Sequence, residues 1–294
     1  MAPSSDIFIF DRKKIRAQRN RALKNIKENN FLIKWTTNQL LSRLEIIKKE
    51  FPCALQVGTR ADIDQRQING LETLITMDGT DGKNSVVADE EFLPFASESF
   101  DLIISALNLH TTNDLPGTLL QLRRSLKPDG LFMCALLGGE TLYEMRDIFT
   151  QAEMEVSGGI SPRVAPFADM PQMGSLMQRA GFNLPVVDSE IITVTYDNLF
   201  KLIHDLRMMG EGNALIERSK SFNNRTLLMR AADLYQEKYS EPDGKIAATF
   251  EIIFLVGWSP HESQQKPLRP GSAKARLSDA LNTEEISTKE KATP

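Results

Sequence analysis

Between residues 54 and 136 the chain repeats one pattern: a short apolar run, a polar connection, then another short apolar run. The runs occupy 54–57, 71–77, 85–88, 102–106 and 131–136. Apolar runs this short suit strands buried on both faces. The segment 115–126 has helical spacing and stops at the turn Lys127-Pro128-Asp129-Gly130. Strand alternating with helix predicts a parallel, doubly wound sheet. The weak member is 61–69, where the first crossover helix belongs: it is polar and has no apolar stripe.

The flanks extend this frame. Two helical stretches are expected between Arg12 and Glu50, because Leu40, Leu41, Leu44 and Ile47 fall on one helix face. After Gly138-Gly139 come a helix over 140–155, a Gly- and Pro-rich loop over 157–171, a helix over 173–180 stopped by Gly181, and a strand over 186–196. The loop is either a cover over a site or a plain connector. Helices are expected over 198–209 and 225–239. A long strand over 247–258 follows the Asp243-Gly244 turn and is expected to pair antiparallel at the sheet edge. From residue 259 Pro, Ser, Lys and Glu dominate, the composition of a disordered tail. The expected organisation is a basic helical arm over 1–50, an α/β domain over 51–258 with a cover segment at about 138–175, and a loose tail over 259–294.

The formal charge of −4 gives no global reason to expect nucleic acid. Charge is nevertheless segregated. Arg12, Lys13, Lys14, Arg16, Arg19, Arg21, Lys24 and Lys27 form a basic segment, and acids gather at Asp89, Glu90 and Glu91. The basic segment reads as a solvated helix face or as a patch for an acidic partner. Cys53 and Cys134 stand far apart in apolar runs, so neither a disulfide framework nor a thiolate metal site is expected, and a reducing compartment fits. No stretch of about 18 apolar residues occurs. Asp6 and Asp11 interrupt what could otherwise resemble an arginine-rich presequence, and a cytoplasmic location is expected.

In a doubly wound sheet the ligand crevice lies at the carboxyl ends of the strands. That rule selects Gly58, Asp78, Asp89 and the segment from Ser105 to His110. A glycine after the first strand lets backbone approach a ligand, and a carboxylate after the second can accept ribose hydroxyls. Both features also serve as ordinary turn chemistry. His110 follows the fourth strand, where a substrate-facing side chain is common. Tyr143 and Arg146 share a helix face and could meet a peptide, or pack as a plain surface pair. His204 and His261 lack a ligand partner at helix or turn spacing, so no metal site is expected.

Several longer segments carry a family likeness: Ile9-Phe10-Asp11-Arg12, Ala88-Asp89-Glu90-Glu91-Phe92-Leu93-Pro94-Phe95, Asn113-Asp114-Leu115-Pro116, Gly138-Gly139-Glu140-Thr141-Leu142-Tyr143-Glu144, Arg179-Ala180-Gly181-Phe182-Asn183 and Met209-Gly210-Glu211. With Gly257-Trp258 and His261-Glu262-Ser263-Gln264, they span nearly the whole chain. The chain resembles a methyltransferase-fold family that includes the mitochondrial complex I assembly factor regarded as a protein-arginine hydroxylase. More distantly it resembles the biotin-pathway malonyl-carrier methyltransferases.

The resemblance implies the class I S-adenosylmethionine-dependent, Rossmann-like fold: a seven-stranded sheet with a helical insertion. It also implies that Asp78 would hold the cofactor's ribose, that Asp89 and Glu90 would approach adenine, and that Ser105 and Ala106 would line the pocket through backbone. The family's first loop reads Asp, an apolar residue, then Gly-x-Gly-x-Gly. Here it reads Gln56-Val57-Gly58-Thr59-Arg60-Ala61-Asp62. Gln56 replaces the acid, and Arg60 and Asp62 replace two glycines, at a cost of about 1–3 kcal/mol each where backbone should touch the ligand. Two functions follow as expectations. One is an S-adenosylmethionine-dependent enzyme acting on a protein or small acceptor. The other is a non-catalytic or arginine-hydroxylating assembly factor that binds a respiratory complex I subunit.

Overall fold

A computed structural model describes residues 8–26, 30–79, 85–220, 224–265, 272 and 277–284. The chain divides into two compact units, residues 1–260 and residues 261–294. In the second unit, Leu277–Leu281 form a short helix; most of the remaining tail lies outside the described residues.

The first unit opens with helix α1 (Arg12–Ala22), capped by the Asp11 side chain, and helix α2 (Phe31–Glu45). Strands β1 (Cys53–Val57), β2 (Thr73–Asp78), β3 (Ser85–Val87), β4 (Phe100–Ala106) and β5 (Leu126–Leu137) follow. Helix α3 (Leu115–Ser125) connects β4 to β5, its first turn capped by Asp114. Helices α4 (Tyr143–Ser157) and α5 (Met170–Arg179) separate β5 from strand β6 (Asn183–Tyr196). Helices α6 (Leu199–Met209) and α7 (Arg225–Tyr239) precede strand β7 (Ile246–Trp258).

The seven strands form one sheet in the order β3-β2-β1-β4-β5-β7-β6. The first five run parallel, and β7 lies antiparallel between β5 and β6. This is the Rossmann-like sheet of class I S-adenosylmethionine-dependent methyltransferases. The last strand is antiparallel but not at the edge. Nearly every residue of β7 is buried, as an interior strand with both faces covered requires, whereas β6 alternates toward solvent and takes the edge.

Apolar side chains cover both faces. One layer joins α2, α4, α6 and α7 to the sheet through Leu40, Leu41, Ile148, Leu202 and Tyr235, so α2 of the N-terminal segment shares the domain's core, while Ile15 of α1 packs in a small separate cluster with Phe10, Ala214 and Leu215. The other is built around Leu55, Met77, Leu119, Phe132 and Met177. The main departure from expectation lies between β1 and β2. No α-helix forms there; the connection holds a single 3-10 turn, Gln65–Gln67. With only Ala61, Ile63 and Ile68 buried, this polar segment has too little apolar surface to hold a helix against the sheet.

Candidate functional site

Gly58 ends β1 with φ +98°, a conformation that favours glycine. A Cβ there would meet the Asn108 side chain at 2.8 Å, so the turn is closed on that side. Gly58 N donates to Met77 O at 2.7 Å, tying the turn to β2 one residue before Asp78. Asp78 is 1% exposed, and its Oδ2 accepts from the backbone N and the Oγ1 of Thr59, both at 2.8 Å. Asp78 O accepts from Ala88 N at 3.0 Å, which brings the acidic run from Asp89 onward to the same strand ends. Ser105 is buried in register with Val57 and donates to its carbonyl at 3.1 Å, with Ala106 next in β4.

Helix α1 roofs this cluster. Arg12, Arg16 and Arg19 recur at spacings of four and three, hence on one helix face. Arg12 bonds Asp89 Oδ1 at 2.8 Å and also contacts Glu90, and Arg16 contacts Asp89 Oδ2. A side chain at Gly79 would meet Arg16 Nε at 3.1 Å, so Arg16 passes directly over the end of β2. Arg19 is buried. Its guanidinium donates to Asn108 Oδ1 at 2.8 Å, Asn108 O at 3.0 Å and Thr111 Oγ1 at 2.9 Å, and it faces Glu90 Oε1 at 3.5 Å. Burial and the nearby Arg60 charge lower the Arg19 pKa to about 10, against the pull of Glu211, Glu90 and Asp78. It still carries its charge at neutral pH. Asn108 Nδ2 donates to Glu90 at 2.7 Å and completes the network.

The altered loop builds a second ionic cluster. Arg60 is 3% exposed and turns inward, donating to Met209 O at 2.9 Å and contacting Leu107 O and Glu211 Oε1. Glu211 Oε2 meets His110 Nε2 at 2.9 Å. Burial alone would raise the Glu211 pKa, but the charges of His110 and Arg60 hold it below the usual carboxylate range. Burial lowers that of His110. Gln56 donates to Gly58 O at 2.8 Å and Ala61 O at 2.7 Å, fixing the loop with a neutral amide where the family carries an acid.

Gly58, Asp78, Asp89, Glu90, Ser105 and Ala106 therefore gather at neighbouring strand ends, and His110 joins the β1 loop there through Glu211 and Arg60. Tyr143 and Arg146 make their contacts elsewhere. Tyr143 packs edge-on against Tyr239, and Arg146 donates to the carbonyls of Gly139 and Thr141. Arg12, Arg16, Arg19 and Glu211 are not among the site residues expected from the sequence, whereas Asn108 lies within the selected segment 105–110. The readable signal was the spacing of the three arginines opposite an equally compact run of acids.

This arrangement does not fit a bound S-adenosylmethionine. The acid meant for ribose is sealed and accepts from Thr59, the acids meant for adenine are paired with arginines, and Arg60 fills the space of the missing glycine. The helix that would begin at the loop is absent. What the site does supply is a dense set of fixed charges joining α1, the β1 loop and the end of α6.

Comparison with known proteins agrees with the fold. A family model described as a methyltransferase domain matches residues 51–134. The chain is 40% identical over 286 residues to arginine-hydroxylase NDUFAF5, mitochondrial, of Homo sapiens, covering 90% of this chain and 81% of the relative. It is 37% identical to the protein of that name from Danio rerio, covering 92% and 89%. Identity to the malonyl-[acyl-carrier protein] O-methyltransferase of Xylella fastidiosa (strain M23) is 32%, covering 86% and 89%. Among solved structures, one described as a methyltransferase of Bacillus halodurans C-125 superposes with a TM-score of 0.51 at 15% identity, covering 76% of this chain and 99% of that one, a likeness of fold alone.

Proposed function

The chain belongs to the methyltransferase-fold family of arginine-hydroxylase NDUFAF5, and from that premise we propose that it acts on a protein partner in respiratory complex I assembly without using S-adenosylmethionine. The observation that carries this reading is the fate of the cofactor crevice. Its acids are consumed by Arg12, Arg16, Arg19 and Thr59, and its glycine loop has become the Arg60–Glu211–His110 cluster. Breaking one partner of a buried charge pair costs about 3–5 kcal/mol, and the Arg19–Glu90 pair is buried on both sides, so a nucleoside would have to offset its loss to enter. The complex I role comes from the family resemblance. Free Cys53 and Cys134 suit a reducing compartment; the cytoplasmic location expected from the sequence stands against relatives named mitochondrial. Among the described residues no helix is long and apolar enough to cross a membrane.

A second reading, an S-adenosylmethionine-dependent enzyme, draws support from the strand-end positions of Asp78, Asp89 and Glu90; it requires α1 to leave the crevice. Affinity capture of the tagged full chain from its own cells separates the two. Complex I subunits recovered equally with the wild type and with Asp78→Asn support the assembly reading. Recovery of none, or recovery that depends on Asp78, contradicts it.

A further inference from the structure

Helix α1 has a second role, because it also walls a cavity of about 560 Å³, within the size range of small-molecule sites. None of Gly58, Asp78, Asp89, Ser105 or Ala106 lines this cavity. Its apolar wall comes from Leu137 at the end of β5, Leu142 and Phe149 beside and within α4, and Phe250 of β7.

The charged groups around it are unbalanced. Lys14 and Arg21 of α1 and Arg207 of α6 all line the cavity, and the only acid among the lining residues is Glu211. Glu211 is already committed to Arg60 and His110. Two further lining cations are committed, Arg163 to Glu153, to which its Nε donates at 2.7 Å, and Arg19 to Asn108 and Glu90. Arg21 Nε donates only to the carbonyl of Ala17, and neither the Lys14 ammonium nor the Arg207 guanidinium pairs with a carboxylate among the described residues. Burial lowers the Lys14 pKa, and the charges of Arg218 and Arg21 lower it further against the pull of Asp11. Arg19 Nε, a donor of α1 at the cavity, is buried without a hydrogen-bond partner among the described residues. Buried polar atoms in native proteins are generally satisfied, so such groups ask for a ligand or water.

We propose that this cavity is a binding site for an amphipathic carboxylate. The aliphatic chain lies against Leu142, Phe149 and Phe250, and the carboxylate is drawn to the unpaired lining cations, Lys14 and Arg207 among them. A guanidinium or ammonium ligand would meet uncompensated like charge there. The inference goes beyond the proposed function, which assigns the cavity no ligand and stands or falls without it.

Calorimetric titration of the full chain with sodium decanoate, and in parallel with decyltrimethylammonium below its micelle concentration, tests it. The expected result is saturable one-to-one binding of decanoate and binding of the cation weaker by about tenfold or more. Lys14→Glu combined with Arg207→Glu changes half-buried and exposed positions. It should leave the thermal melt in place while weakening decanoate about tenfold. Met145→Trp, which fills the cavity from a half-buried lining position, should abolish the saturable phase. No saturable binding, equal binding of both head groups, or affinity unmoved by the charge reversal would overturn the proposal.

Discussion

Arg60, standing where the family's loop carries a glycine, is bonded to Glu211 at the far end of α6, a residue 151 positions later in the chain. The replacement that appears in sequence as damage to a cofactor loop is in the folded protein a buried cross-link. It holds the β1 turn, the Leu107 carbonyl and the end of α6 in one piece.

Removing one side of this cross-link strands a charge. Glu211→Ala leaves Arg60 and His110 without their carboxylate and should destabilise the domain by about 3–5 kcal/mol, read as a lowered urea midpoint with little change in slope. The pair Arg60→Met with Glu211→Leu should recover most of that loss, since apolar groups of similar volume often replace a buried ion pair without cost. A double variant as unstable as the single one would contradict the clamp.

The same cluster sets the acid response. His110 and Glu211 both titrate below their ordinary values in the folded protein. A depressed folded pKa means that the unfolded chain binds the proton first, so each group contributes stability above its unfolded pKa and loses it as pH falls. The His110 contribution begins to fade below about pH 6.5, and that of Glu211 below about pH 4.3. Urea unfolding at pH 7.5 and 5.5 should show lower stability at 5.5, and His110→Gln should reduce that difference. Greater stability at pH 5.5 would reverse the assignment.

Arg19 anchors α1 through Asn108, Thr111 and Glu90. Arg19→Ala should loosen α1 before it loosens the sheet. Hydrogen exchange should report lost protection over 12–22 while β4 and β5 keep theirs. Uniform loss across the domain would mean that Arg19 is a general core residue rather than the pin of the roof.

Gly58 answers to two constraints at once, its φ of +98° and the Asn108 side chain 2.8 Å from a would-be Cβ. Gly58→Ala should cost about 1–3 kcal/mol in unfolding free energy. Adding Asn108→Ala relieves the contact but not the backbone strain, so rescue should be partial. Full rescue would show that the strain is negligible.

Much of the fold was legible because its strands are short apolar runs bounded by turns, and 225–239 reads as a helix over the same residues that α7 occupies. The place of β7 was not, since an apolar run records burial but not its neighbours, and the connection through α6 and α7 carries it past β6 into the interior. At 61–69 the missing apolar stripe was the true signal: only a 3-10 turn formed. Gly58, Asp78 and Asp89 were selected by their places after strands, and Glu90 by the family likeness. Their partners were not, because the pairings of Arg12 with Asp89 and Arg60 with Glu211 join distant segments and leave no period in the sequence.

The central claim is that arginines and a threonine have taken over the crevice where this fold ordinarily admits a nucleoside. Isothermal titration of the full chain with S-adenosylhomocysteine tests it most directly. No measurable heat of binding is expected from the wild type at millimolar ligand. Micromolar binding by the wild type, abolished by Asp78→Ala, would contradict it.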